Sequence, residues 1–210
     1  MASPGDRLDL TAAQLDDLVT EPSDNESEDV TLVHAAQRGN RAAFGRLYQR
    51  YAPMVHGVLL AKVPVTAVDD LVQDVFIRAL RRVSALRKST SFGAWLAAIA
   101  RNLANDYHRR SAPEEQLLDE QSERDIAAPP ERADSRRQAA AILNAIRSLP
   151  DAYREPLILR FVEGMTGPEI AARTGLTHGS VRVNLHRGMQ QLRALLRLTP
   201  GNSQPEQEDF

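Results

Sequence analysis

Thr166-Gly167-Pro168-Glu169-Ile170-Ala171-Ala172-Arg173-Thr174-Gly175-Leu176-Thr177-His178-Gly179-Ser180-Val181 reads as two short helices joined by a tight turn. Thr166 and Glu169 have the spacing of a capping box, and Pro168 falls in the first helical turn, where its missing N–H costs nothing. Ile170 and Ala171 supply a small apolar inner face. Gly175 permits the left-handed turn and Leu176 plugs the angle between the helices. Thr177 can cap the next helix, His178–Leu198, whose Val181, Leu185 and Leu192 face inward. Arg182, Asn184, His186 and Arg187 then lie on its outer surface. Such a surface near a helix N-terminus suits the major groove, because Arg can read guanine and Asn adenine by paired hydrogen bonds. Two packed helices with a merely solvated face would explain the turn but not this capped, basic setting.

The charge around this motif is distributed unevenly. The net charge of −2 over 210 residues hides five parcels. Residues 1–29 carry −8, residues 30–110 carry +9, residues 111–134 carry −6, residues 135–198 carry +6 and the last twelve carry −3. Two basic parcels between acidic strings point to nucleic acid despite the near-neutral total. The acidic, aromatic-poor stretch 1–29 is expected to be a disordered extension, apart from a short helix around Ala12–Val19. It could screen the basic domains or serve as a plain tail, and the tail is the simpler reading. Residues 111–136, with Pro113, Pro129 and Pro130, read as an acidic linker, and 199–210 as a disordered tail.

Between these strings the apolar residues recur at three- and four-residue steps. Val30, Val33 and Ala36 form a first helix, broken at Gly39-Asn40. Ala43, Phe44, Leu47, Tyr48 and Tyr51 mark a second, and Met54–Val63 a further segment ending before Pro64. Val68, Leu71, Val72, Val75, Phe76, Ala79, Leu80 and Val83 make one broad apolar face. Phe92, Trp95, Leu96, Ile99, Ala100, Leu103 and Tyr107 stripe a helix with a basic far end. In the second parcel Ile142, Leu143, Ile146 and Leu149 stop before Pro150, and Tyr153–Glu163 follows. The expected fold is all-α: two small helical domains, 30–110 and 137–198, joined by the linker.

No catalytic constellation is visible. The five histidines show no metal-ligand spacing, and there is no phosphate loop and no Ser/His/Asp set, so neither enzyme nor cofactor is expected. The chain has no cysteine, which excludes disulfides and thiolate metal sites. It also has no signal-peptide pattern and no long apolar run, so no membrane insertion and a cytoplasmic location are expected.

One helix face is unusual. Asp69, Asp70, Gln73, Asp74 and Ile77 gather opposite the apolar face of their helix, acidic and partly apolar inside a basic domain. That combination suits a polar-rimmed contact with a basic partner helix.

Asp69-Asp70-Leu71-Val72-Gln73-Asp74-Val75-Phe76-Ile77-Arg78-Ala79 resembles region 2.2 of the extracytoplasmic-function sigma factors, the group 4 members of the sigma-70 family. Phe92-Gly93-Ala94-Trp95-Leu96-Ala97-Ala98-Ile99-Ala100-Arg101-Asn102-Leu103-Ala104-Asn105-Asp106-Tyr107-His108-Arg109-Arg110 resembles regions 2.3 and 2.4. Leu149-Pro150, Phe161-Val162-Glu163-Gly164-Met165-Thr166 and the opening motif resemble region 4. The resemblance runs over about Val30–Leu198, in the family's order and spacing.

The resemblance implies a promoter-recognition subunit for transcription initiation, of the stress-response type. It implies contact with core RNA polymerase through Asp69, Asp70, Gln73, Asp74 and Ile77, with Asp70, Gln73, Asp74 and Ile77 on its β′ clamp helices, and the β subunit as a further partner. It implies capture of the melted −10 element by Arg87, Lys88, Ser89, Thr90, Trp95, Arg101, Asn102, Asn105, His108, Arg109 and Arg110. Among these Trp95 fits an apolar core stripe better than a stacking platform. Reading of the duplex −35 element falls to Ser180, Arg182, Val183, Asn184 and Arg187, and an anti-sigma factor is a further implied partner. Asn184 stands where a basic residue is common in the family, and Val183 where a small polar one is usual, which leaves the docking mode intact and alters the sequence preference. An ordinary helix-turn-helix repressor would account for the second domain but not for the acidic face of the first.

Overall fold

The computed structural model describes residues 24–111 and 130–198. Eight α-helices are described there: α1 Asp24–Gln37, α2 Arg41–Leu60, α3 Val65–Arg82, α4 Phe92–Ser111, α5 Pro130–Arg147, α6 Asp151–Phe161, α7 Gly167–Thr174 and α8 His178–Leu198. Two 3₁₀ turns, Val83–Ala85 and Ser89–Ser91, connect α3 to α4, and no strand occurs among the described residues. The all-α expectation holds.

Helices α1 to α4 form the first domain. Gly39, at φ +90, closes α1, and the Asn40 side chain caps α2 by accepting the Ala43 N–H at 3.0 Å. The core between these helices contains Val33, Leu47, Met54, Val55, Leu59, Val75, Phe92 and Leu96, each fully out of solvent or nearly so. Each such side chain contributes roughly 1.5–3 kcal/mol. Phe76 meets Phe44 edge-on at 6.4 Å and Tyr48 at 4.5 Å, so α2 and α3 are joined through an aromatic cluster. Helices α5 to α8 form the second domain around Ile146, Leu149, Leu157, Ile158, Ile170, Val181, Leu185 and Leu192.

Several boundaries differ from the sequence reading. Helix α1 begins at Asp24, inside the stretch expected to be disordered. Glu28 pairs with Arg46 and Arg50, while Asp29 pairs with Arg50 and accepts the Tyr51 hydroxyl at 2.7 Å. These acids are therefore neutralised by α2, an arrangement that composition alone could not reveal. The helix expected around Ala12–Val19 and the tail 199–210 lie outside the described residues. Segments expected as two helices around Pro53 form one, α2, because residues on both sides of the proline (Tyr51, Met54, Val55) are buried in the same core. Packing there outweighs the one backbone hydrogen bond that the proline omits. Helix α5 starts at Pro130, within the expected linker. Leu80, placed on the apolar face of α3, is instead 50% exposed.

The two domains are not separate beads. α4 lies against α7 and α2 against α6, and the buried apolar residues of both domains form one continuous cluster.

Candidate nucleic-acid interface

The helix-turn-helix is built as its residues dictate. The Thr166 N–H donates to Glu169 Oε2 at 2.8 Å and the Glu169 N–H donates to Thr166 Oγ1 at 3.4 Å, closing the capping box. These hydrogen bonds and the nearby Arg173 and Arg160 charges hold the Glu169 carboxyl below its ordinary pKa, although desolvation, the largest single influence, pushes the other way. Gly175 sits at φ +78, the left-handed conformation that a side chain resists. The Thr177 hydroxyl accepts the Ser180 N–H at 3.1 Å and donates to Ser180 Oγ at 2.8 Å, starting α8. Val181, Leu185 and Leu192 are buried, as their spacing requires. Ser180, Arg182, Val183 and Arg187 are exposed along α8, and Asn184 is half-buried beside them. His186 bonds Gln190 at 3.1 Å one turn further on.

In the first domain the candidate residues fall into two groups. Asp69, Asp70, Gln73, Asp74 and Ile77 are all exposed on α3, and Ile77 is 46% exposed. Leu80 continues their stripe one turn on, so the face has two aliphatic side chains rather than one. Its position, three residues after Ile77 and seven after Gln73, was the signal that could have found it. Asp69 and Gln73 also line a groove of about 660 Å³ with Tyr48, Gln49, Ala52, Pro53, His56, Val72 and Glu163.

The basic group is more mixed. Arg87, Lys88 and Thr90 are exposed in the loop before α4. Ser89 is not available: it is buried, with its hydroxyl 3.2 Å from His34 Nε2. A serine in a polar loop looks solvated in sequence, but here it anchors the loop to α1. Gln37 completes the anchor, its amide donating to the carbonyls of Val83 at 3.1 Å and Leu86 at 2.8 Å. His34 and Gln37 thus position the loop, and only their place at the end of α1 hinted at it.

Along α4, Asn102, Asn105, Arg109 and Arg110 are exposed. Arg109 pairs with Asp106, which Arg78 also approaches at 3.8 Å; the Arg109 hydrogen bond comes first in holding the Asp106 carboxyl below its usual range. Trp95 packs against the core, its ring tilted against Phe92 at 5.7 Å, so it serves mainly as packing. His108 Nε2 lies 2.6 Å from the Lys62 carbonyl. Arg101 is turned to the second domain, where Nε and Nη2 donate to the Glu155 carboxylate at 3.1 and 2.6 Å.

A capped helix-turn-helix, a basic helix end and an acidic-aliphatic face occur here in one chain. Family models for sigma-70 region 2 match residues 47–114 and for sigma-70 region 4 residues 139–192. The chain belongs to the sigma-70 family, among its extracytoplasmic-function (ECF) sigma factors. It is similar to sigma factor CarQ of Myxococcus xanthus, 34% identical over 161 residues that cover 75% of this chain and 91% of CarQ. The ECF sigma-E factor of Haemophilus influenzae is 30% identical over 175 residues, covering 78% and 93%. The ECF sigma factor BldN of Streptomyces coelicolor is 34% identical over 173 residues, and the match spans 79% of this chain but only 64% of BldN. The structure resembles CnrH, solved in complex with the cytosolic domain of CnrY, with TM-score 0.57 and 28% identity over 81% of this chain and 97% of that one. As a sigma factor, the protein is a promoter-specific initiation factor of RNA polymerase. No helix among its described residues is long and apolar enough to cross a membrane.

Proposed function

We propose that this sigma factor docks on core RNA polymerase through the exposed face of α3 and reads its promoter with two basic surfaces. Asp69, Asp70, Gln73 and Asp74 supply acidic and polar contacts to a basic partner helix, while Ile77 and Leu80 supply the apolar centre of the contact. The loop Arg87, Lys88 and Thr90, with Asn102, Asn105, His108, Arg109 and Arg110 on α4, holds a melted −10 strand, cations on phosphate and amides on splayed base edges. Arg182, Val183, Asn184 and Arg187, with Ser180 at the start of α8, enter the major groove of the −35 duplex. The protein works in the cytoplasm without catalytic groups of its own. An anti-sigma partner that covers part of these surfaces is supported by the likeness to CnrH, solved with the cytosolic domain of CnrY.

The single observation that carries this reading is the face of α3: carboxylates and two exposed aliphatic side chains, Ile77 at 46% and Leu80 at 50%, inside a basic domain. A duplex-binding repressor has no use for it. The test is co-migration of the purified protein with core RNA polymerase on a sizing column. Stoichiometric co-elution is expected; separate elution at micromolar concentrations, alongside tight binding to duplex DNA alone, would return the chain to the repressor reading.

A further inference from the structure

Two long stretches of the first domain, residues 30–68 and 75–105, contain no Asp or Glu and carry eleven Lys and Arg residues between them. Five of the eleven find a carboxylate elsewhere in the fold. Arg46 and Arg50 pair with Glu28 and Asp29, Lys62 with Asp151, Arg78 with Asp106 and Arg101 with Glu155. The other six, Arg38, Arg41, Arg81, Arg82, Arg87 and Lys88, are exposed and pair with no carboxylate among the described residues. They are not scattered. The Gln37 amide donates to the carbonyls of Val83 at 3.1 Å and Leu86 at 2.8 Å, and the Ser89 hydroxyl lies 3.2 Å from His34 Nε2. These bonds fasten the turn between α1 and α2 to the connection between α3 and α4. Arg38 then stands one residue from Gln37, Arg82 one residue from Val83 and Arg87 one residue from Leu86.

Helix electrostatics account for only part of this gathering. Arg81 and Arg82 lie in the last turn of α3 and Arg38 directly follows α1, where the negative end of a helix favours a cation by about 0.3–1 kcal/mol. Arg41 has no such reason. It is the first residue of α2, at the end where the same dipole opposes a cation, and no acid occupies that first turn. Arg87 and Lys88 belong to no α-helix. Like charges held together in this way repel one another and work against the compact domain. An anion laid across them removes that repulsion.

We propose that the α1–α2 turn, through Arg38 and Arg41, is a further strand-binding site that holds phosphates of the displaced promoter strand just beyond the −10 element. The inference rests on the reading of Arg87 and Lys88 as part of the −10 surface, and adds a stretch of DNA that this surface does not reach. A strand leaving Arg87 and Lys88 passes to Arg38 across the Gln37 hydrogen bonds, and both walls of that path come from the acid-free stretches. The donors decide the ligand. Guanidinium forks match phosphate oxygens, and phosphate contacts position a strand without reading its bases. The site therefore accepts any sequence.

The test uses the full-length protein on core polymerase and a forked DNA from a promoter that this holoenzyme transcribes. The fork is duplex through the −35 block, and its non-template strand continues single-stranded. One fork ends with the −10 block; the other runs about eight nucleotides further. At ~0.1 M salt the unmodified holoenzyme should bind the longer fork about tenfold tighter than the shorter. Arg38→Ala combined with Arg41→Ala should bring the two forks within twofold of each other and leave the shorter within twofold of its unmodified affinity. The same pair should flatten the log–log salt dependence on the longer fork by about 1.4, two single-strand contacts at roughly 0.7 each. Arg38→Lys with Arg41→Lys keeps the charge and should keep most of the preference. Equal binding of both forks by the unmodified holoenzyme, or a preference that survives the alanine pair, overturns the proposal. Equal weakening of both forks by the alanine pair also overturns it, because the patch then serves the −10 block or the polymerase. A lysine pair that behaves as the alanine pair overturns the phosphate contact. Failure of the underlying reading shows separately, as an unmodified holoenzyme that binds the shorter fork no better than one with a scrambled −10 block.

Discussion

Asp74→Arg isolates the polymerase-docking face from the fold. Asp74 is exposed on α3, while the opposite face buries Val68, Val72, Val75, Phe76 and Ala79. A surface exchange away from that core changes stability by about 0.5 kcal/mol or less, a shift of under ~4 °C in the midpoint of a domain of this size. Its effect on docking is larger. The face carries Asp69, Asp70 and Asp74, and the exchange replaces one of these charges with its opposite next to a basic partner. Opposed like charges in a contact cost several kcal/mol. Taking about 3 kcal/mol, the dissociation constant for core polymerase should rise roughly 150-fold. The measurement is a fluorescence-anisotropy titration of labelled protein with core polymerase, paired with a thermal melt of the same sample. Affinity within threefold of the unmodified protein, with an unchanged melt, would refute the assignment of this face.

Other expectations concern the helix cap, the loop, the reading helix and the His56–Glu163 contact. Thr166→Ala removes the α7 cap, and a chemical melt should lose about 1 kcal/mol. Gln37→Ala frees two carbonyls of the α3–α4 connection; hydrogen exchange at residues 83–91 should accelerate, and strand binding should weaken although no cation is lost. Asn184→Ala should relax preference at one base pair of the −35 site, by about 1–3 kcal/mol if Asn184 makes a paired contact, read from competition with single-base variants. His56 has its pKa raised, first by the hydrogen bond to Glu163 and then by the charges of Glu163 and Asp69, with desolvation opposing. The contribution of its contact with Glu163 to stability is therefore complete below the ordinary imidazole value of about 6.5 and lost as pH rises through the higher folded value. The midpoint of a thermal melt should fall across that range, and His56→Gln should flatten this part of the dependence.

The sequence was most informative where one residue type has one job. Thr166, Glu169, Gly175, Val181, Leu185 and Leu192 are determined by helix period and turn chemistry, and each occupies the place its chemistry demands. Local pattern does not carry long-range pairing. Ser89 bonds a histidine 55 residues away and Arg101 a glutamate 54 residues away, so both looked like open polar groups when only neighbours in sequence were considered. Glu28 and Asp29 sat in an acidic string, yet their cations lie on α2. Leu80 fits the apolar period of α3 but falls on its open edge, because period fixes an angle and not where the neighbouring helices stop.

The central claim is that one chain brings polymerase to a promoter by reading two separated elements. Combining the protein with core polymerase on a genomic DNA library and sequencing the 5′ ends of the transcripts tests this directly. Start sites are expected to share two sequence blocks, about 10 and 35 base pairs upstream, and to vanish when the protein is omitted. Transcripts without added protein, or starts sharing no upstream block or only the duplex one, would contradict it.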